Sequence, residues 1–150
     1  MKKDFISRGR SVSDLKAHLV LTTKYRRKVF NAAMIKRLHE IFEDLLDKWE
    51  CKIVEFNGEE DYVHLLFQYH PDLQLSKLVN SLKSVSSRKL RQDFLPQLEK
   101  VYFKKKVVWN SSYFIASCGG VTISTLKKYI ENQNAPQQAE INKSSAVSKT

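Results

Sequence analysis

Lys52-Ile53-Val54-Glu55-Phe56, then Asn57-Gly58, then Tyr62-Val63-His64-Leu65-Leu66-Phe67-Gln68-Tyr69 reads as a β-hairpin: an alternating run, a turn signal and a second β-rich run. Amphipathic helices flank it on both sides. Upstream, Met34, Leu38, Ile41, Phe42, Leu45, Leu46 and Trp49 recur at helical spacing behind Asn31, a residue suited to capping a helix N-terminus. Downstream of Pro71, Leu75, Leu78, Val79, Leu82, Val85 and Leu90 form a second stripe, with Lys77, Lys83, Arg88, Lys89 and Arg91 on its polar side. Pro96 ends or interrupts helix formation there. Residues 17–23 and 113–118 read as strands outside both helices, and a last helix runs through Leu126, Tyr129 and Ile130 to Gln133. The order βαββαβ predicts an α+β, ferredoxin-like (RRM-like) sandwich with an antiparallel sheet, plus a C-terminal helix carrying Tyr129. That architecture hosts many unrelated activities and decides no function.

A chain of 150 residues suits one core. Residues 1–13 read as a basic flexible arm, 14–135 as the domain, and 136–150, rich in Gln, Asn, Ser and Lys without periodicity, as a disordered polar tail. No apolar run approaches the ~18 residues of a membrane span. Cys51 and Cys118, far apart, make neither a disulfide framework nor a zinc ribbon and are expected as buried thiols. The net charge of +10 is unevenly placed. Residues 1–28 and 77–106 each carry nine Lys or Arg against two acids, while residues 29–76 carry four against ten. Two basic blocks around an acidic one suggest a side that binds a polyanion, nucleic acid before membrane.

Few residues carry recognisable chemistry. His64 lies mid-strand, sharing a face with Tyr62 and Leu66, either as a rigid metal ligand or as a half-buried structural histidine. Tyr129 and Gln133 lie one helical turn apart: a phenol able to attack a phosphodiester and an amide oxygen able to bind a hard cation, or simply a packed ring and a solvated amide. Lys24-Tyr25-Arg26-Arg27-Lys28 mixes one aromatic with four cations, as a single-strand binding surface would. With Lys83, Arg88, Lys104 and Lys105, it supplies the candidate DNA contacts Lys24, Arg26 and Arg27. There is no Walker loop, dinucleotide fingerprint or paired-cysteine metal motif, so kinase, helicase and dehydrogenase chemistry have no basis here.

Taken in order, Lys24-Tyr25-Arg26-Arg27-Lys28-Val29-Phe30, Val63-His64-Leu65-Leu66, Trp109-Asn110-Ser111-Ser112-Tyr113-Phe114, Gly119-Gly120-Val121 and Leu126-Lys127-Lys128-Tyr129-Ile130-Glu131-Asn132-Gln133 resemble the single-tyrosine transposases of the insertion sequence 200/605 family, within the HUH nuclease superfamily. The resemblance covers residues 15–133. It implies a prokaryotic, cytoplasmic and nucleoid-associated homodimer that acts on single-stranded DNA with hairpin ends, its active sites shared between protomers. By the same resemblance, Tyr129 is the nucleophile that forms a 5′-phosphotyrosine link, and His64 and Gln133 ligate Mg2+ or Mn2+. The chain departs from the pattern at Tyr62, where the family has its first metal-ligand histidine. Tyr62 is therefore a third candidate ligand, and a catalytically impaired protein that still binds single-stranded or hairpin DNA is the alternative reading. An RNA-binding module on the same sheet would need a ribonucleoprotein motif, which is absent.

Overall fold

The computed structural model describes residues 6–8, 11–118 and 123–132. Its elements run β1 (Ile6–Arg8), β2 (Ser11–Ser13), β3 (Leu15–Thr22), a short 3-10 turn (Lys24–Arg26), α1 (Ala32–Lys48), β4 (Lys52–Gly58), β5 (Tyr62–Tyr69), α2 (Leu75–Asp93), α3 (Leu95–Tyr102), β6 (Phe114–Ser117) and α4 (Ile123–Asn132). From β3 to α4 the main elements follow the expected order. Four strands make one antiparallel sheet in the order β4-β5-β3-β6, the ferredoxin-like arrangement.

Two details differ from the expectations. Within residues 1–13, β1 and β2 pair antiparallel, Ile6 opposite Ser13, where a flexible arm was expected. Backbone pairing forms this short hairpin without the apolar alternation that announces a strand. The interruption expected at Pro96 is present between Asp93 and Leu95, but α3, which was not expected, starts there, because proline in the first helical turn removes a donor that has no intrahelical acceptor. Gln133, Gly119-Gly120, Thr122 as a helix cap and the tail beyond residue 135 lie outside the described residues.

The pleat gives the sheet two faces with different jobs. Ala17, Leu19 and Leu21 of β3, Val63, Leu65 and Phe67 of β5, and Ile115 of β6 point into the main core. There they meet Met34, Leu38, Ile41, Phe42 and Leu46 of α1 and Leu78, Val79, Leu82 and Leu90 of α2. Each such side chain, fully buried, contributes roughly 1.5–3 kcal/mol of transfer free energy. Asn31 caps α1 by accepting the Met34 N–H at 2.9 Å. The opposite face carries a smaller apolar cluster of Val20, Phe114, Leu126 and Tyr129, flanked by Tyr62, Ala116 and Ile130. Thus α4 lies on the face that α1 and α2 leave uncovered. Of the two cysteines, Cys51 is buried as expected, but Cys118, just past the end of β6, is exposed. A strand end offers no second layer to cover it.

Candidate functional site: a histidine face and a basic surface

Strand register sets out the α4 side of the sheet in rows. Asn57 pairs with His64 and His64 with Val20, which in turn faces Phe114. One row on, Glu55 pairs with Leu66, Leu66 with His18 and His18 with Ala116. On the other side of His64, Tyr62 pairs with Thr22. His64 and His18 are therefore diagonal neighbours across the central strand pair. His18 Nδ1 and His64 Nε2 lie 2.9 Å apart, with ring centroids at 5.1 Å and planes inclined by 13°. Burial lowers the pKa of both imidazoles; the neighbouring ring lowers that of His64 further, while Glu55 acts in the opposite sense on each. Beyond the pair, His18 Nε2 is 3.6 Å from Cys118 Sγ.

This partner of His64 was not anticipated. A search for a second histidine two residues along one strand cannot find a residue 46 positions away, and only the β3–β5 register brings it in. Reading residues 17–23 as a strand does not say which strand lies beside His18.

Tyr62, half-buried, offers little to a cation. Burial first, then Glu59 and Asp61, raises its pKa, against the pull of Arg26. The phenol is thus neutral at neutral pH. The acidic run beside it is also engaged: Asp61 pairs with Arg26 at 3.1 Å, and the Glu60 carbonyl accepts N–H bonds from Val29 and Phe30. Two imidazole nitrogens on one face form a donor set that fits a divalent cation, whereas Tyr62 does not add to it.

Tyr129 stands on α4 with its ring 5.2 Å from that of Phe114. Its hydroxyl is buried without an aligned hydrogen-bond partner among the described residues. Burial pushes its pKa up to about 12, although Ser112 and Arg26 both favour the ionised form. The expected packing beside Leu126 and Ile130 holds for the ring.

Arg26 explains how α4 is held. Its side chain, only 8% exposed, ion-pairs with Asp61, donates from Nη1 to the Ile130 carbonyl and lies over the Tyr62 ring. Expected as a phosphate contact, Arg26 is instead turned inward as a bracket between the β3 loop and α4. Tyr25 and Arg26 both adopt positive φ, 58° and 55°, a left-handed conformation that costs non-glycine residues of order 1–3 kcal/mol each. The Arg26 ion pair, Thr23 Oγ1 donating to the Arg27 carbonyl at 2.7 Å and Tyr102 donating to the Lys24 carbonyl at 2.8 Å hold that loop.

The loop's geometry projects Tyr25 into solvent between two cations. Lys24 and Lys105 lie over its ring at 5.4 and 5.2 Å, and Lys105 donates to its hydroxyl. That bond, then the Lys105 charge, lowers the Tyr25 pKa. Lys105 shares a shallow depression with Arg88, Arg91, Lys104, Lys106 and the exposed Phe103. Lys83 donates to the Ser111 carbonyl at 3.0 Å and covers the Tyr113 ring; burial, then repulsion from Lys24, lowers its pKa. The basic run 24–28 and cations of the second basic block thus meet on one surface carrying the exposed rings of Tyr25 and Phe103. Arg27, Arg88, Lys104 and Lys105 are exposed on it, and Lys24 and Lys83 are half-buried. Tyr25 was legible in the basic motif and Arg91 on the polar side of the second helix, but Phe103 and Tyr113 were not among the candidate contacts.

Among the described residues, no helix is long and apolar enough to cross a membrane. The family model described as "Transposase IS200 like" matches residues 11–133. The ISDra2 transposase TnpA of Deinococcus radiodurans is 29% identical over 130 residues, covering 86% of this chain and 91% of that protein. The transposase for insertion sequence element IS200 of Salmonella typhimurium is 26% identical over 118 residues, covering 79% and 76%. The crystal structure of a Deinococcus radiodurans R1 protein described as a transposase superposes with a TM-score of 0.77 at 31% identity, over 87% of this chain and 99% of that one. A tyrosine transposase bound to a REP hairpin shares the fold at a TM-score of 0.50 and 10% identity, over 85% and 70%.

Proposed function

This chain belongs to the IS200-like transposase family, and from that premise we propose that it breaks and rejoins single-stranded DNA through Tyr129. The observation that carries this reading is the position of α4, which lays the nucleophile's ring on the same sheet face as His64. In the proposed step the Tyr129 oxygen bonds to the scissile phosphorus and the phosphorus–O3′ bond breaks. The phenol's proton passes to solvent and the departing 3′ oxygen takes one up. Strand transfer reverses the step with another 3′-hydroxyl, so phosphodiester bonds are conserved and no nucleotide is hydrolysed.

The buried phenol, its pKa pushed up to about 12 by burial, is a weak nucleophile as packed, so attack would need its ring to leave its packing on Phe114. His64 would ligate a divalent Mg2+ or Mn2+ ion, with Gln133 as the further ligand that the family resemblance implies. Such an ion, when bound, would polarise the scissile phosphate. The surface of Lys24, Lys83, Arg88, Lys104 and Lys105 would hold the backbone, and Tyr25 would stack on an unpaired base. A hairpin-ended strand would suit this surface, and the fold neighbour described as a tyrosine transposase is bound to a REP hairpin. Two copies would share active sites in a homodimer, each α4 serving the partner.

The alternative, a hairpin-binding protein that cuts poorly, is favoured by the neutral phenol of Tyr62. One experiment separates the two. Incubated with single-stranded DNA spanning an element end and Mn2+, the native chain should yield a covalent protein–DNA band on denaturing gels. Tyr129→Phe should lose that band and keep DNA binding, since the phenyl ring preserves the packing. DNA binding with no adduct in the native chain supports the alternative. An undiminished adduct in Tyr129→Phe removes Tyr129 from the mechanism.

A further inference from the structure

We propose that His18 supplies the second imidazole of a transition-metal site whose first ligand is His64, in place of the histidine that Tyr62 replaces. The inference rests on the proposed role of His64. Its own ground is the facing of two ring nitrogens across β3 and β5, 2.9 Å apart. A cation ~2.0–2.1 Å from each nitrogen would subtend an angle near ~90°, a pair of adjacent positions in octahedral coordination. With the nitrogens 2.9 Å apart and the ring centroids 5.1 Å apart, the two lone-pair directions now point at one another, so each ring must turn to aim its nitrogen at a shared cation.

Protonation permits the arrangement. At present one N–H is shared between the two rings. For both nitrogens to ligate, that proton moves to the other nitrogen of its own ring, with no net loss. On His18 the other nitrogen is Nε2, 3.6 Å from Cys118 Sγ, a weak acceptor for its N–H. Glu55, in the same row as His18, adds negative charge that acts on both rings. Among the described residues no group of three His, Cys, Asp or Glu encloses a metal position. The pair therefore leaves positions open for water or a phosphate oxygen, as a catalytic metal site requires. Imidazole nitrogens suit a transition metal better than magnesium.

The site is also displaced. His18 lies on the Leu66 side of His64 and Tyr62 on the Thr22 side. A same-strand pair at 62 and 64 would hold its cation toward Tyr62, whereas the His18 pair holds it toward Cys118.

The test is direct cation binding by the full chain, followed with Mn2+ by electron paramagnetic resonance and with Co2+ by visible absorption. The native chain should bind either ion more tightly than Mg2+. His18→Ala and His64→Ala should each weaken binding at least tenfold, His39→Ala on the far side of the sheet should not, and Tyr62→His in the His18→Ala background should restore it. Circular dichroism checks folding, and His18→Asn provides a second variant of similar polarity. If folded His18→Ala or His18→Asn binds like the native chain while His64→Ala does not, His18 is no ligand and the metal role of His64 stands. If the native chain binds no cation, or His64→Ala binds unchanged, both assignments fall.

Discussion

Tyr62 and His64 are two residues apart on one strand, yet their surroundings point them to different partners. Tyr62 lies under the Arg26 guanidinium, its centroid 5.7 Å from Cζ, while His64 leans to His18. Histidine at position 62 would offer a nitrogen lone pair at neutral pH, a better donor to a cation than the neutral phenol oxygen. Tyr62→His in the otherwise native chain should therefore tighten Mn2+ binding and speed any measurable cleavage, because it adds an imidazole on the Tyr129 side of His64. Isothermal titration and a single-turnover cleavage assay check the two halves. If the native chain already cuts well and the substitution adds nothing, position 62 is not a defect.

At the scale of elements, α3 and the β3 loop depend on one another through Tyr102, whose hydroxyl donates to the Lys24 carbonyl. Burial pushes the Tyr102 pKa up to about 12, against an ordinary value near 10. Because the folded-state value is the higher one, this contribution to stability is complete below pH ~10 and is lost as pH rises toward ~12. Urea titrations at pH 8, 10 and 11.5 should show the native chain losing stability over that window, with Tyr102→Phe losing less. At pH 8 the same variant should be about 1 kcal/mol less stable for its missing hydrogen bond. Equal alkaline losses in both proteins would dissociate Tyr102 from the effect. The elements legible in the sequence were those with a strong period: the α1 stripe behind Asn31, the 52–69 hairpin and the α2 stripe. What escaped depended on contacts between elements. The β1–β2 pairing has no apolar period, Arg26 is turned inward by Asp61 and Ile130, and His18 meets His64 only through strand register.

For the whole molecule, folding brings the basic run 24–28 and cations of the block 77–106, separated in sequence by an acidic segment, to one surface around Tyr25, Lys105 and Lys83. About five phosphate contacts on single-stranded DNA would lower affinity about a hundredfold between ~50 and ~200 mM salt. Arg88→Glu with Lys104→Glu, both exposed, should weaken binding to all sequences alike and flatten that salt dependence, as measured by fluorescence anisotropy. Lys83 is a poorer target because it is half-buried and bonded to Ser111. Salt-independent binding would mean that this surface is merely solvated. Surface and histidine face serve the same proposed event, transfer of a DNA strand through a tyrosine ester. Its most direct measurement is mass spectrometry of the protein–DNA adduct after nuclease and protease digestion. The account predicts a nucleotide joined through its 5′-phosphate to the peptide containing Tyr129, and to no other; a nucleotide on a different residue would contradict it, as would no linked peptide from chain that binds the DNA and Mn2+.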